Sequence, residues 1–459
     1  MYSSLRAGDP LVRVSSVAIL LVLILVLLTP KVSLADSVTA TVTVGSNPYG
    51  VTSANGYLYV ENSGSNTVSV IDPSTNAVVD TLNVGIQPDA DALVYGSPAY
   101  LYVANYGSNT VSVINTSNNT VIATVNVGAN PDKALSDIQN GEVYVANYGS
   151  GTVSVISDKN NTVVATVYVG SNPDRIANDW DNGNIYVANY GSNTESVING
   201  TTNTVVYTVN VGSQPDGDAY DHANGYLYVA NNGSDTVSVI DCSTNAVVAT
   251  VNVGTGPERM VVNPPYIYVA NFGSDTISVI SGSTNTVVAT ITVGSNPYGV
   301  TSANGYAYVT NYGSGTVSVI NSTYAVVDTV NVGLHPEGES STNGKVYVAN
   351  YGSGTVSVIT PSSSTSTSST SSITSTTPST SSTSSITSTT PSTSSTRSTT
   401  STSVSTTPKP STSSSESGSS SSIPEFPVQS GVALLVAVIV VMSYLFARRG
   451  LRTDIQTPV

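Results

Sequence analysis

The sequence predicts an all-β protein whose main part is a single eight-bladed β-propeller. The tetrapeptide Tyr-Val-x-Asn recurs eight times at intervals of 39 to 43 residues, and each copy runs into a Gly-Ser turn and a Thr-Val-Ser-Val-Ile segment or a close variant. A regular period of this length indicates one small unit stacked on copies of itself. The copies begin at Tyr59, Tyr102, Tyr144, Tyr186, Tyr228, Tyr268, Tyr308 and Tyr347.

Each unit has the pattern of four short strands, A to D in chain order. In the fifth unit, residues 215–223 form strand A after a Val-Gly-x-x-Pro turn, and Asn224-Gly225 predicts a tight hairpin. Residues 226–231 and 236–240 are rich in β-forming side chains and predict strands B and C, and residues 246–253 supply strand D. Four antiparallel strands in about forty residues are typical of a propeller blade, whereas a helical solenoid needs an apolar period of about 3.6 residues.

The closure of the ring follows from the number of strands. Eight A–B–C sets are present, but only seven of them are followed by a D strand. The missing D strand lies at the front of the chain, because Ala-Thr-Val-Thr-Val-Gly at residues 40–45 matches Ala-Thr-Val-Asn-Val-Gly at residues 249–254. We therefore expect the N-terminal strand to complete the last blade beside residues 355–359. Such an overlap closes the ring and covers a free strand edge.

These repeats carry a family resemblance. Tyr308-Val309-Thr310-Asn311 is the YVTN signature letter for letter, and the other seven units have Ala or Glu at the third position. Over residues 37–360 the chain resembles the YVTN-repeat β-propellers of archaeal and bacterial cell surfaces, often described as surface-layer proteins. The resemblance implies an archaeal type of surface display and contacts with envelope proteins or glycans, without a particular reaction. The usual ring of this family has seven blades, which makes seven the alternative to eight.

The N-terminal residues 1–35 have the features of a signal peptide. Arg6 and Arg13 precede an apolar stretch at residues 17–28, and Ser33-Leu34-Ala35 is a small-x-small cleavage site. An uncleaved N-terminal anchor is the alternative. In both cases the following residues leave the cytoplasm, and we predict that the propeller occupies residues 36–360.

A second apolar run lies near the C-terminus. Residues 428–447 are nearly free of polar side chains and are long enough for one transmembrane helix. Arg448, Arg449 and Arg452 follow in a short tail, residues 448–459. Because positive flanks stay in the cytoplasm, this pattern predicts a membrane-anchored protein whose propeller is extracellular.

Two further segments connect the propeller to that helix. Of the residues 361–422, 50 are Ser or Thr, which predicts a disordered stalk that carries O-linked sugars. Pro424-Glu425-Phe426-Pro427 resembles the Pro-Glu-Phe sorting signals of archaeal surface proteins, so that residues 423–447 are interpreted as a sorting motif and membrane helix. An ordinary transmembrane anchor is the alternative.

Charge narrows the possible partners. The formal net charge is −15, and charged residues make up only 9% of the chain. Nucleic acid is not expected as a partner, since it requires a basic surface. The basic residues within the predicted propeller are scattered over different repeats: Lys133, Lys159, Arg175, Arg259 and Lys345.

The best candidate site is a ring of acids. The D–A turns surround the channel mouth of a propeller, and six of the eight residues that follow the turn proline are carboxylates, with Tyr49 and Tyr298 at the other two positions. Crowded carboxylates repel one another unless a cation intervenes, and several converging oxygens suit Ca²⁺. The alternative is that each acid caps its own turn, in which case no cofactor is needed. The six candidate metal ligands are Asp89, Asp132, Asp174, Asp216, Glu258 and Glu337.

Evidence for catalysis in the sequence is weak. Neither a nucleophile elbow nor a His/Cys metal spacing nor a phosphate-binding glycine loop is present. His222 falls in an A–B turn, away from the acids, and His335 falls in a D–A turn close to Glu337 and Glu339. We therefore predict a structural or adhesive envelope module that is not an enzyme. The alternative is a lactonase- or lyase-like surface enzyme that uses His335 at the mouth.

Asn-x-Ser/Thr sequons mark candidate glycosylation sites. Five of the six lie in predicted C–D turns, on the face away from the acids, so that sugars there would leave the mouth free. Asn and Ser are also common turn residues, which is the simpler explanation. The candidates are Asn115, Asn118, Asn160, Asn199, Asn232 and Asn321.

Overall fold

The computed structural model describes residues 35–361. The predicted signal peptide, stalk, sorting motif, membrane helix and cytoplasmic tail lie outside these residues, apart from the boundary residues 35 and 361. Within the described part of the chain, no helix is long and apolar enough to cross a bilayer. The described residues form strands and turns that build eight four-stranded antiparallel sheets.

The strands follow one another in blade order. A single strand, β1 (Ser37–Thr43), comes first. Blade 1 contains β2 (Pro48–Ala54), β3 (Tyr57–Asn62), β4 (Thr67–Asp72) and β5 (Ala77–Asn83), and blade 2 contains β6 (Pro88–Val94), β7 (Tyr100–Asn105), β8 (Thr110–Asn115) and β9 (Thr120–Asn126). Blade 3 contains β10 (Pro131–Asp137), β11 (Glu142–Asn147), β12 (Thr152–Ser157) and β13 (Thr162–Tyr168), and blade 4 contains β14 (Pro173–Asp179), β15 (Asn184–Asn189), β16 (Thr194–Asn199) and β17 (Thr204–Asn210).

The second half repeats this order. Blade 5 contains β18 (Pro215–Asp221), β19 (Tyr226–Asn231), β20 (Thr236–Asp241) and β21 (Ala246–Asn252), and blade 6 contains β22 (Pro257–Asn263), β23 (Tyr266–Asn271), β24 (Thr276–Ser281) and β25 (Thr286–Thr292). Blade 7 contains β26 (Pro297–Ala303), β27 (Tyr306–Asn311), β28 (Thr316–Ile320) and β29 (Val326–Asn331), and blade 8 contains β30 (Pro336–Thr342), β31 (Lys345–Asn350) and β32 (Thr355–Thr360).

The N-terminal strand completes blade 8. Strand β1 pairs antiparallel with β32, from Ser37 opposite Thr360 to Thr43 opposite Thr355, and the sheet order is β1-β32-β31-β30. The backbone N–H of Val44 also donates to the carbonyl of Gly354 at 3.0 Å. The predicted eight blades and the predicted closure are therefore confirmed, and the seven-bladed alternative is wrong.

The apolar core lies between the blades. Strands B and C are buried on both faces, as in β3, where Leu58, Tyr59 and Val60 are all fully buried. Burial on both faces explains why these strands are continuously apolar instead of alternating. At the closure, Val42 of β1 and Val356 of β32 belong to the same core cluster as Leu58 of blade 1, so the last blade packs directly on the first.

The asparagine of the repeat links strand B to strand C. Asn62 Nδ2 donates to Thr67 Oγ1 at 3.1 Å and to Ser69 Oγ at 2.9 Å. A Cβ atom on Gly45, which opens the preceding D–A turn, would lie 2.6 Å from Asn62 Cβ, so this close approach requires glycine. This buried contact explains why the Asn of strand B, the Thr and Ser of strand C and the Gly of the D–A turn all recur in the repeat. The equivalent asparagines, all with the same two partners, are Asn105, Asn147, Asn189, Asn231, Asn271, Asn311 and Asn350.

In five blades the tyrosine of the repeat forms a hydrogen bond to an asparagine of the next blade. The Tyr59 hydroxyl donates to Asn119 Oδ1 at 2.7 Å, and Asn119 lies in the C–D turn of the following blade. Tyr186 and Asn245 make the same bond at 2.7 Å. Because the tyrosine ring is buried and its hydroxyl needs a partner, the repeat sets both the packing of a blade and its alignment with its neighbour.

Candidate functional site

The start of each A strand carries a β-bulge that turns the candidate acids out of the pairing register. In β10, Pro131 pairs with Asn147 and Lys133 pairs with Ala146, so Asp132 has no cross-strand partner. The same shift follows Pro88 in β6. A bulge redirects a side chain at a sheet edge, and here it directs the residue after the proline to the channel mouth. The sequence located these residues but did not predict the bulge.

The structure brings the six predicted carboxylates together around this mouth. Asp132 interacts with Asp89 and with Asp174, on the blades to either side. Asp174 and Asp216 repel each other in turn. Five of the six acids are half-buried, and Glu337 is 6% exposed. The hydrogen bonds that cap the D–A turns come from other side chains, for example from Gln87 N–H to Asn66 Oδ1 at 2.9 Å.

Arg175 bridges two of these acids. Its Nε lies 3.6 Å from Asp174 Oδ1 and donates to the Asp216 carbonyl at 2.8 Å, and its Nη2 lies 3.8 Å from Asp216 Oδ1. The side chains of Arg175 and Asp174 are only 16% and 15% exposed. This guanidinium therefore neutralises part of the acidic ring on blades 4 and 5.

A second arginine, Arg259 on blade 6, reaches tyrosines of blades 7 and 1. Arg259 Nη2 donates to the Tyr298 hydroxyl at 3.0 Å and to the Tyr49 hydroxyl at 3.2 Å. Its guanidinium carbon lies 4.2 Å from the centre of the Tyr298 ring, which is a cation–π contact. These tyrosines hold the two ring positions that lack a carboxylate, so the mouth has a mainly acidic side and an aromatic side that includes one arginine.

Further charged groups lie one layer below the mouth. Asp91 accepts a hydrogen bond from Thr52 Oγ1 at 3.0 Å. Among the described residues, the carboxylate oxygens of the fully buried Glu61 have no hydrogen-bond partner. Lys133 is attracted to Asp91, but loss of hydration lowers the pKa of this lysine. A cavity of about 50 Å³ lies between Lys133, Asp91 and the mouth residues, which is enough for a water molecule.

The channel environment changes the pKa values of these acids. Burial removes part of the hydration of each carboxyl, and this loss is the largest cause of a raised pKa throughout the ring. Repulsion between neighbouring carboxylates adds to it, and Arg175 and Arg259 oppose it. The pKa is raised to about 7 for Asp132, Asp174, Glu258 and Glu337, and to about 6 for Asp216.

The predicted calcium site remains a hypothesis. Within residues 35–361, no three His, Cys, Asp or Glu side chains are placed so that they could hold a metal ion. The six acids are spread around the ring and face Lys133, Arg175 and Arg259 as well as one another. Metal analysis of the purified protein remains the test of this prediction.

A ring of aromatic residues surrounds the acids and was missed in the sequence. The residue after the asparagine of each repeat lies in the B–C turn, and its backbone N–H donates to the carbonyl just before the turn proline, as from Tyr106 to Gln87 at 2.8 Å. This bond fixes each B–C turn next to the start of strand A in its own blade. The Tyr-Gly-Ser sequence that follows five of the eight asparagines was the available signal. The ring positions are Ser63, Tyr106, Tyr148, Tyr190, Asn232, Phe272, Tyr312 and Tyr351.

The two histidines lie at opposite faces, as expected. His222 is in the A–B turn of blade 5, where its Nδ1 lies 3.1 Å from Asp181 Oδ2. His335 is exposed in the D–A turn of blade 8 and stacks on Tyr312, with ring centres 4.4 Å apart. Among the described hydrogen bonds, none joins His335 to Glu337.

The six sequons differ in their surroundings. Asn118 and Asn160 are exposed in C–D turns, whereas Asn115, Asn199 and Asn321 are half-buried there. The side-chain oxygens of these three asparagines accept backbone N–H groups of their own turns. Asn232 lies in a B–C turn, within the aromatic ring itself. Glycosylation remains a prediction that is easiest to accommodate at Asn118 and Asn160.

The comparisons with known proteins define the class of this chain by fold alone. BamB from Moraxella catarrhalis aligns with a TM-score of 0.59 at 14% identity, over 71% of this chain and 99% of the other. The computationally designed protein Ika8 aligns with a TM-score of 0.59 at 11% identity, over 69% and 98%. The dihydro-heme d1 dehydrogenase NirN aligns with a TM-score of 0.57 at 16% identity, over 70% and 76%. No family model and no curated protein matches the sequence. The protein is an eight-bladed β-propeller.

Proposed function

We propose that this protein is a membrane-anchored interaction module of the cell surface, with a structural or adhesive role in the envelope. The sequence supports this location through its signal-like N-terminus, Ser/Thr-rich stalk and apolar C-terminal run. Its resemblance to the YVTN-repeat surface propellers of archaea supports the same role. Envelope proteins or glycans are the partners that such a module would contact.

The observation that carries this proposal is the composition of the mouth. Half-buried carboxylates and aromatic rings surround one end of the channel, with Arg175 and Arg259 set among them. Such a mouth offers charge and aromatic faces for recognition. Both histidines make other contacts, with Asp181 and with Tyr312. The arrangement therefore favours binding over chemistry.

Protease treatment of intact cells tests the location. Antibodies against the propeller should label unpermeabilised cells, and added protease should remove that signal. An antibody against residues 448–459 should label cells only after permeabilisation. Propeller signal that stays protected in intact cells would contradict the proposal.

A surface enzyme is the rival function. It would use His335 with the raised-pKa acid Glu337, at the same mouth. A screen of lactone and uronide substrates with the purified protein tests it, with His222→Ala as the matched control for His335→Ala. Activity that is lost only on the His335→Ala change would favour the enzyme.

A further inference from the structure

The aromatic ring is interrupted at two opposite points. Its aromatic members lie in blades 2 to 4 and in blades 6 to 8, whereas blade 1 carries Ser63 and blade 5 carries Asn232 at the same position. Blades 1 and 5 are four steps apart in a closed ring of eight, so they face each other across the channel. The interruptions therefore leave a trough across the mouth, open at both ends and walled by aromatic side chains.

Neighbouring aromatic residues follow one another along each wall. On one side, Tyr148 lies near Tyr106 and Tyr190, on the blades to either side. On the other side, the ring centres of Phe272 and Tyr312 are 6.1 Å apart. All of these side chains are half-buried, so that one face remains accessible from the trough. Aromatic walls of this kind suit alkyl stems and cationic groups.

The floor of the trough is acidic beyond what the protein neutralises. Six carboxylates face three cations, Lys133, Arg175 and Arg259. Lys133 and Arg259 are also attracted to Asp91 and Glu339, so the acids outnumber the cations. Glu337 supports the same conclusion. It is 6% exposed, and its Oε2 has no hydrogen-bond partner among the described residues. Asp89 and Glu258 both sense the charge of this carboxylate. The Glu337 carboxyl is therefore an acid to which the described residues donate no hydrogen bond at Oε2, and it adds to the acidity of the floor.

We propose that the trough binds an extended chain that carries alkylammonium groups, with the ammonium groups over the carboxylate floor and the alkyl stems against the aromatic walls. The inference rests on the proposed interaction function and names its ligand chemistry. A lysine-bearing peptide strand and a linear polyamine share this chemistry. A neutral glycan could stack on the walls but would leave the excess negative charge uncompensated.

The test compares ligands that differ only in charge or length. Calorimetry on the full-length protein in detergent, at low salt and about pH 8, uses pentalysine, spermine, butylamine and ε-acetylated pentalysine. We expect pentalysine to bind at least about tenfold more tightly than the acetylated peptide. Spermine binding at equal strength identifies a free polyamine as the source, and pentalysine binding alone identifies a peptide.

Two substitutions can close the open ends of the trough with a residue type that the ring already contains. The double change Ser63→Tyr and Asn232→Tyr installs the residue that five other blades already carry, so folding should be preserved. We expect pentalysine to lose about tenfold in affinity while butylamine, which fits inside the trough, is unaffected. Asp132→Asn and Tyr148→Ala should weaken both probes. Matched controls are Asp80→Asn and Tyr168→Ala, which lie exposed on outer strands and should change neither affinity.

Three results would overturn the inference. They are equal binding of pentalysine and its acetylated form, affinity that persists in Asp132→Asn and Tyr148→Ala, and binding of Ca²⁺ or neutral maltopentaose in place of the ammonium probes. The surface location is measured separately by protease treatment. Failure of the ammonium ligand therefore leaves the proposed function standing, and a protein that is not displayed can still bind pentalysine.

Discussion

The Tyr49 hydroxyl lies 2.9 Å from the Tyr298 hydroxyl, and Arg259 donates to both of them. These residues come from blades 1, 7 and 6, so a single cluster ties three blades together around the channel. Arg259 also interacts with the carboxylate of Glu339, and it lowers the raised pKa of Glu337. The aromatic side of the mouth therefore depends on one buried cation.

Removal of this cation should destabilise the propeller in a pH-dependent way. We expect Arg259→Met to lower the free energy of unfolding by about 3 kcal/mol at about pH 8, because Glu337 and Glu339 lose their cation while charged. At about pH 5 both acids, with pKa values raised to about 7, are protonated, and the loss should be smaller. Urea denaturation at the two pH values measures this difference. The exposed Lys159→Met is the control, and an equal loss at both pH values would count against the explanation.

The whole propeller should be more stable in mild acid than in base. Asp132, Asp174 and Glu258 have pKa values raised to about 7 in the folded protein, against about 4 for free carboxyls. Between these values the folded state binds more protons than the unfolded state, so the free energy of unfolding falls as the pH rises through 7.

Calorimetry across the pH range measures this effect. We expect the melting temperature at pH 5 to exceed that at pH 8 by roughly 5 °C, after allowance for the partial exposure of these groups. Asp132→Asn combined with Asp174→Asn should flatten the profile. A melting temperature that rises from pH 5 to pH 8 would show that the channel acids are not the dominant titrating groups.

Much of the fold could be predicted because the residues that specify it act over short distances along the chain. Each turn glycine, β-rich segment and asparagine acts within about forty residues, and the strand count alone placed residues 40–45 in the last blade. The positions of the six acids at the mouth followed from the same repeat. A propeller is well suited to such reasoning because its contacts are those of one unit with the next.

The chemistry of the mouth could not be predicted in the same way. The hydrogen bond from Arg259 to Tyr49 joins residues 210 positions apart, and it depends on the width of the channel. The bulge that frees Asp132 has no single sequence signature beyond the turn proline. The aromatic ring was hidden because Tyr106 and its equivalents stand in turns whose glycine and serine already explained the local pattern.

A matched pair of substitutions, Tyr59→Phe and Tyr347→Phe, tests the hydrogen bond between neighbouring blades. In Tyr59→Phe, the bond to Asn119 Oδ1 is lost and the asparagine oxygen loses its buried donor, so we expect a loss of about 1 to 2 kcal/mol in the free energy of unfolding. In Tyr347→Phe, we expect almost no change, because the Tyr347 hydroxyl is buried without a hydrogen-bond partner among residues 35–361. Chemical denaturation of the two variants gives the comparison. Equal losses would mean that the interblade bond is not the source of the cost, because phenylalanine keeps the ring in both variants.

Glu195 is the one carboxylate that replaces a repeated apolar residue in strand C. Seven blades carry Val or Ile at this position. Glu195 is fully buried, and neither carboxylate oxygen has a hydrogen-bond partner within the part of the chain that the structure describes. Burial and the nearby Asp218 raise its pKa well above the usual range. The position therefore holds a buried, dehydrated acid whose charged form is strongly disfavoured, and the neighbouring repeats avoid such a group.

Restoring the repeat residue should stabilise the protein. We expect Glu195→Val to raise the free energy of unfolding by about 1 to 3 kcal/mol at about pH 8, since a well-packed apolar residue replaces an uncompensated buried acid. Glu195→Gln removes the charge and keeps the shape, so it separates electrostatics from packing. A lower stability of Glu195→Val at pH 8 would show that Glu195 makes a favourable contact through the channel, and loss of pentalysine binding in the same variant would place that contact in the ligand site.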